Sequence, residues 1–349
     1  MNAQTMGGLN PLRCNAFLSS IGVNTHVGYV NSQYGDVSAV LDALRFVGVK
    51  YVRDGADTPD DMARYETMAA KGVSFCLFLP AKRSMADALA AISALEAARP
   101  GAVHALEGPN EIKPEFAYAG LVGNAAGQQF MVDLRARAAA DDRLRRTPLV
   151  AFTSYQAVAC ECDFANHHPY PKAGAQPGTL LKTLHKRYVG PNGVMPGKAM
   201  VFTEFGYHTL VGPPDRPGAW QGVDPERQAV LIVNALFDNA AQGVTRTYIY
   251  QLLDGAAENG GSPNQEKHFG LFAYDGSPKP AAKALRTLFM RLEDSGAGAR
   301  DFSLKPVEAG VSVTAPVACL ALQNSTGQSF LAFWNESAIW NKDAAAPQD

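Results

Sequence analysis

Apolar runs and one-sided apolar stripes alternate along most of the chain. Residues 20–29 (SIGVNTHVGY), 49–55 (VKYVRDG) and 73–80 (VSFCLFLP) are short apolar runs bounded by glycine, proline or polar residues. Each predicts a buried strand. Between them, 36–48 places Val37, Val40, Leu41, Leu44 and Val47 on one helical face and closes on Gly48. Residues 58–72 open with Thr58 as cap and Pro59 at the first helical position. An alanine-rich helix is predicted over 84–98 and a fourth strand over 103–111. The rhythm then repeats, with helices over 124–140, 177–190, 224–243 and 278–292 and strands over 148–155, 163–170, 198–207 and 245–254.

Eight strands alternating with helices predict an α/β fold, a (β/α)8 TIM barrel over residues 20–295. The strands are near-continuous apolar runs, as expected where both faces are covered. A doubly wound open sheet is the competing arrangement. Its nucleotide-binding versions carry a glycine-rich phosphate turn after the first strand, and none follows here. After residue 300 the pattern changes: 311–336 alternates about a turn at Asn324–Gly327, which predicts a β-hairpin. A lone hairpin is marginal in water. It should therefore belong to a small accessory sheet over 300–349, sharing strands with 11–19. That sheet is short of strands, which leaves open a longer natural chain.

Composition narrows the classes. Lys and Arg number 31 against 33 Asp and Glu, a net charge of −2, with no basic stripe of the kind nucleic acid requires. No stretch approaches the roughly 20 apolar residues of a membrane helix. Of the five cysteines, Cys160 and Cys162 are spaced wrongly for a zinc site, and all five read as small buried hydrophobes with one disulfide left open. No metal or cofactor is expected.

Two of the predicted strands end on a glutamate. GPNE (108–111) closes the fourth and brings Glu111; TEFGY (203–207) closes the seventh and brings Glu204. Side chains at the C-terminal ends of barrel strands face one pocket. Two carboxylates on one pocket are the minimum for glycoside hydrolysis: one protonates the leaving oxygen, the other attacks the anomeric carbon or activates water. The alternative is structural, with Glu111 capping a helix and Glu204 in a buried ion pair.

These two motifs resemble those of the clan A glycoside hydrolases, retaining enzymes on a (β/α)8 barrel. The resemblance covers roughly residues 20–290 and includes GLFAYDGSPKPAAKAL (270–285), which is similar to the segment leading into the clan's last helix. It implies Glu111 as acid/base, Asn110 as the partner of the sugar 2-hydroxyl and Glu204 as nucleophile. Arg53, in YVRDG, resembles the arginine that hydrogen-bonds the nucleophile; a surface pair with Asp54 or Asp57 is its alternative. His168 or Tyr170, in NHHPYP, is expected to steady the nucleophile, His26 to contact the sugar, and Tyr207 and His208 to line the pocket wall. One position departs from the clan. Its tryptophan at the end of the eighth strand is replaced by Tyr250 and Gln251, with Trp220 in the loop 208–223 as another stacking surface. The added C-terminal β segment is similar to that of family thirty-nine and its bacterial exopolysaccharide-hydrolase relatives.

The resemblance implies a carbohydrate partner, while charge and hydropathy point to no nucleic acid and no membrane. A secreted or periplasmic protein is expected, although MNAQTMGGLNPLR lacks the apolar core of a signal peptide and a cytoplasmic placement is the alternative. Two other functions compete. A catalytically silent carbohydrate-binding barrel would tend to lose one of Glu111, Asn110, Glu204 and Arg53. A metal-dependent barrel hydrolase would want several histidine and aspartate ligands, and NTHVGY at the first strand offers a single histidine.

Overall fold

The computed structural model describes residues 5–56, 59–80, 83–212, 214, 217–257, 264–296, 298–310 and 317–348. Eight parallel strands close on themselves in chain order. They are β1 (Ile21–Asn24), β2 (Tyr51–Gly55), β3 (Ser74–Phe78), β4 (Val103–Glu107), β5 (Leu149–Val150), β6 (Phe164–Asn166), β7 (Ala199–Phe205) and β8 (Arg246–Ile249). Around them lie α1 (Val37–Val47), α2 (Pro59–Ala69), α3 (Met85–Ala98), α4 (Gly123–Ala139), α5 (Gly178–Val189), α6 (Pro225–Ala241) and α7 (Pro280–Leu292). The predicted barrel is the observed one.

The helix boundaries follow local chemistry. Asp36 accepts from the amides of Ser38 and Ala39 to start α1, and Gly48 ends it at φ 95°, a left-handed conformation that favours glycine. Asp224 accepts from the Arg227 amide ahead of Pro225 to start α6. Thr58, the expected cap of α2, and Asp57, one of the alternative partners of Arg53, lie outside the described residues. The predicted fifth and sixth strands are much shorter than expected, and no helix joins them. The backbone of Thr153 and Ser154 is instead taken up by the turn after β4: Ile112 N donates to Thr153 O, Thr153 N to Pro109 O, and Ile112 and Ser154 form a parallel bridge.

Inside the barrel the period-two alternation of strands sets two layers. The lower is apolar: Cys76, Ala105, Val150, Val201 and Tyr248, with Tyr51 and Phe164 against them. Tyr248 fills the centre because β1 has Gly22 opposite, where a Cβ would come within 2.4 Å of the ring. Two residues further along five of the strands the same face becomes polar, with Asn24, Arg53, Glu107, Asn166 and Thr203 all buried. Polar groups in such a layer must satisfy one another, and they form the floor of the site.

The accessory sheet is a hairpin, Ala318–Gln323 against Ser329–Trp334, with Leu12–Arg13 added in parallel to Leu322 and Gln323. Residues 14–19 do not join it. They form a short helix that buries Cys14 and Phe17, one turn apart on one face. Thr5–Leu9 pairs separately with Val307–Gly310. Residues 311–316 of the predicted hairpin lie outside the described residues. The sheet docks on α5 and α6. Trp334 stacks on Phe237 at 5.4 Å, its Nε1–H donates to Asp238, and Glu336 accepts from Gly178 N at the start of α5. All five cysteines are free, so the disulfide left open by the sequence is not formed. No helix among the described residues is long and apolar enough to cross a membrane.

Candidate active site

A cavity of about 470 Å³ opens at the C-terminal ends of the strands. Its lining includes His26, Arg53, Asn110, Glu111, Tyr170, Glu204, Trp220 and Tyr250, eight of the twelve residues proposed from the sequence. His168 lies immediately behind, bonded to Glu111.

Glu204 owes its position to a β-bulge. Between Phe202 and Phe205, β7 spans three residues while its partner β8 spans two, Thr247 to Ile249. One extra residue breaks the alternation, so the consecutive Thr203 and Glu204 both turn inward. Arg53 Nη1 donates to Glu204 Oε1 at 2.5 Å and Tyr170 Oη to Glu204 Oε2 at 2.5 Å. The alternative Arg53–Asp54 pair is not formed: Asp54 accepts instead from Thr25 Oγ1 and Val27 N. Burial alone would raise the Glu204 carboxyl. The charges of His168 and Arg53, with the hydrogen bonds from Tyr170 and Arg53, outweigh it and hold the group below its ordinary range. Burial and the Glu204 charge push the Tyr170 phenol well up, so it stays a donor.

Glu111 does not end the fourth strand. β4 stops at Glu107, and Gly108 then passes so close to Phe152 and Met131 that a Cβ there would lie 2.8 Å from Phe152 Cβ and 2.5 Å from Met131 Sδ. The turn that follows puts Glu111 at φ 45°, a left-handed value that costs a non-glycine residue about 1–2 kcal/mol. It is held by Glu111 N donating to Thr153 Oγ1 at 2.8 Å. The Glu111 side chain is 58% exposed against 9% for Glu204. His168 links them, with Nδ1 2.9 Å from Glu111 Oε1 and 3.6 Å from Glu204 Oε2 and Nε2 2.9 Å from Thr203 Oγ1. One oxygen of each glutamate and one nitrogen of His168 lie within 4.8 Å of one another. A divalent ion could be offered three donors at that spacing. Both Glu204 oxygens are already engaged, however, and the Arg53 guanidinium is one hydrogen bond away, which disfavours a cation at this trio.

Asn110 Oδ1 accepts from Arg53 Nη2 at 2.7 Å, which commits its oxygen and leaves its amide donors. His26 stacks on Tyr29 at 4.9 Å; burial lowers it to about 4, so the ring is neutral near pH 7. Its Nε2 has no hydrogen-bond partner among the described residues. Tyr170, Trp220, Tyr250 and Phe269 form an aromatic wall with ring centroids 5.3–6.2 Å apart.

Three further predicted residues are not in the cavity wall. Tyr207 points away, its hydroxyl donating to Ala175 O. It is one residue past Gly206, beyond the bulge, on the outward phase. Gln251 lies beneath the wall, accepting from Tyr34 Oη and donating to Glu266 O. His208 is buried behind Trp220 and Phe269. Sequence reasoning missed Glu107, Asn166, Thr203, Gln265, Glu266 and Phe269. Glu107 alone carried a signal: it is a charge inside an apolar run, two residues beyond inward-facing Ala105.

Fold and site together define a (β/α)8 barrel with two carboxylates on one cavity, one at the end of β7 buried in a donor network and one in the turn after β4 open to solvent. No protein-family model and no curated protein matches the chain. Solved structures do. A GH2 beta-galacturonidase from Eisenbergiella tayi bound to galacturonate matches with a TM-score of 0.57 at 14% identity, over 84% of this chain and 54% of that one. The beta-glucuronidase of Ruminococcus gnavus matches with a TM-score of 0.53 at 16% identity, over 79% and 50%. The chain thus spans about half the length of these proteins. At such identities the likeness is one of fold, a (β/α)8 barrel.

Proposed function

We propose that the protein is a retaining glycoside hydrolase acting on a poly- or oligosaccharide, with Glu204 as nucleophile and Glu111 as acid/base. The observation that carries this reading is the contrast between the two carboxylates at short range. Glu204 is buried, ionised and aimed by Arg53 and Tyr170, as an attacking group must be. Glu111 faces it from the open side, where a leaving oxygen and then water can reach it. One oxygen of each lies within 4.8 Å of the other, nearer the spacing of retaining pairs, about 5–5.5 Å, than the roughly 6.5–9.5 Å of inverting ones, which supports double displacement.

In the first step Glu204 attacks the anomeric carbon while Glu111 gives its proton to the departing oxygen. In the second Glu111 takes a proton from water, which displaces Glu204 with a second inversion. Asn110 and His26 supply hydrogen bonds to the sugar, and Tyr250 and Trp220 the stacking surfaces. The structural neighbours are named for uronide substrates. Among the described lining residues, the one fixed cation is Arg53, and Glu107, Glu204, Asn24 and Asn110 already take its donors. The proposal therefore stops at a glycoside and names no class of sugar. Kinship with family thirty-nine exopolysaccharide hydrolases, and a secreted or periplasmic placement, belong to the same reading. An activated 2-fluoro glycoside should label Glu204 in the intact protein, as read by peptide mass spectrometry. Labelling at another residue, or initial inversion of the product by proton NMR, would refute it.

A further inference from the structure

Beneath Glu204 lies a carboxylate that the two-glutamate mechanism does not use. Glu107 is fully buried. Arg53 Nε donates to its Oε2 at 2.9 Å and Arg53 Nη2 to its Oε1 at 2.9 Å, a two-pronged grip on one edge of the guanidinium. Thr203 Oγ1 adds a donor at 3.0 Å, Asn166 Nδ2 one at 3.3 Å and Cys76 Sγ a weak one at 3.8 Å. The opposite edge of the guanidinium, through Nη1, is what reaches Glu204.

We infer that Glu107 is a positioning and charge-setting residue for Glu204, acting through Arg53: it fixes which edge of the guanidinium meets the nucleophile and offsets part of its charge. Two functions follow from this one contact. The planar fork held at both prongs has no freedom to swing, so Nη1 is aimed at Glu204 before substrate binds. Glu107 and Arg53 also form a neutral pair. Glu204 is then stabilised by directed hydrogen bonds instead of a full counter-ion, which would hold its electrons in a tight salt bridge and blunt its attack. Nothing else in the floor could do this, because Asn24, Asn166 and Thr203 are uncharged.

The inference rests on the proposed role of Glu204, but its test is separable. Glu204 also faces His168, Tyr170, Tyr250, His26 and Glu111. Glu107→Gln leaves all of them in place and keeps the side-chain volume. With the offsetting charge gone, Glu204 should titrate lower by about one unit. The readout is carbon-13 NMR of carboxyl-labelled glutamate in the whole chain, with Glu204→Gln assigning the signal. Glu107→Asp keeps the charge and should leave Glu204 near its unaltered midpoint, also deciding the matter if the glutamine variant does not fold. The acid limb of kcat/KM against pH on an aryl glycoside should move with the NMR midpoint, and kcat should fall at least tenfold in Glu107→Gln. An unmoved or raised Glu204 midpoint in Glu107→Gln, or an equal fall in Glu107→Asp, would overturn the inference. Absence of turnover by the unaltered protein would remove the hydrolase reading and leave the NMR result to decide Glu107.

Discussion

Removing Arg53 should be felt first as lost stability. The guanidinium is 1% exposed, makes five hydrogen bonds and lies 4.5 Å over the Phe78 ring. Arg53→Met keeps most of the apolar stem and deletes the charge. It strands Glu107 with no cation, and breaking one side of a buried pair costs about 3–5 kcal/mol. With an unfolding entropy of about 2.1 cal/mol/K per residue, roughly 0.7 kcal/mol/K for this chain, the melting temperature should fall by about 4–7 °C. The stranded carboxylates would have raised folded-state pKa values. The variant should therefore recover stability as pH falls and lose it as pH rises, because the folded state then binds more protons than the unfolded one. Adding Glu107→Gln removes the orphaned charge, so the double variant should melt above Arg53→Met. Differential scanning calorimetry of the four proteins of the cycle measures the coupling. A loss below about 1 kcal/mol in Arg53→Met, or a double variant no better than the single one, would refute the view that the pair is a coupled buried unit.

Glu111→Ala should impair hydrolysis of natural glycosides far more than that of nitrophenyl glycosides, since a general acid matters most for poor leaving groups. Azide should partly restore the second step, and equal losses on both substrate types without rescue would contradict the acid/base role. A third prediction concerns Asp238, where the accessory sheet meets α6. Burial, then the neighbouring charge of Glu336, push it up to about 7, so the folded state holds a proton there that the unfolded chain releases near pH 4. This contribution is fully present below about pH 4, is lost as pH rises to about 7, and amounts to at most about 4 kcal/mol. Asp238→Asn keeps an oxygen for Trp334 Nε1 and should flatten that slope; urea titrations at pH 4, 5.5 and 7.5 with the same slope as the unaltered protein would exclude Asp238 as its source.

How much of this was legible beforehand divides along physical lines. The barrel was readable because burial on both faces writes each strand as an apolar run, and because Asp36, Gly48, Asp224 and Pro225 mark helix ends by local chemistry. Residues 14–19 were misplaced because six residues with apolar groups at Cys14, Phe17 and Leu18 fit a strand end or one helical turn equally well. The lining residues that could be named early sit just past apolar runs, as Glu111, Tyr170 and Glu204 do. The floor was harder to read. Asn166 and Thr203 are inconspicuous in sequence and gain meaning when the closed sheet brings them onto Glu107, from residues 59 and 96 positions away.

The bulge in β7 is the clearest case of information that periodicity does not hold. Strict alternation from Val201 would send Thr203 inward and Glu204 outward, into the helical layer, where an ionised carboxylate has no counter-charge and burial would be prohibitive. One extra residue relative to β8 reverses that. Thr203 stays with the floor, bonded to Glu107 and Asn166, while Glu204 turns to Arg53 and Tyr170. The same irregularity resets the phase that carries Tyr207 out of the cavity. Reading Glu204 as a site residue from its place after an apolar run and extending the reading to Tyr207 thus used one rule across a break in register. It holds on the near side of the bulge and fails on the far side.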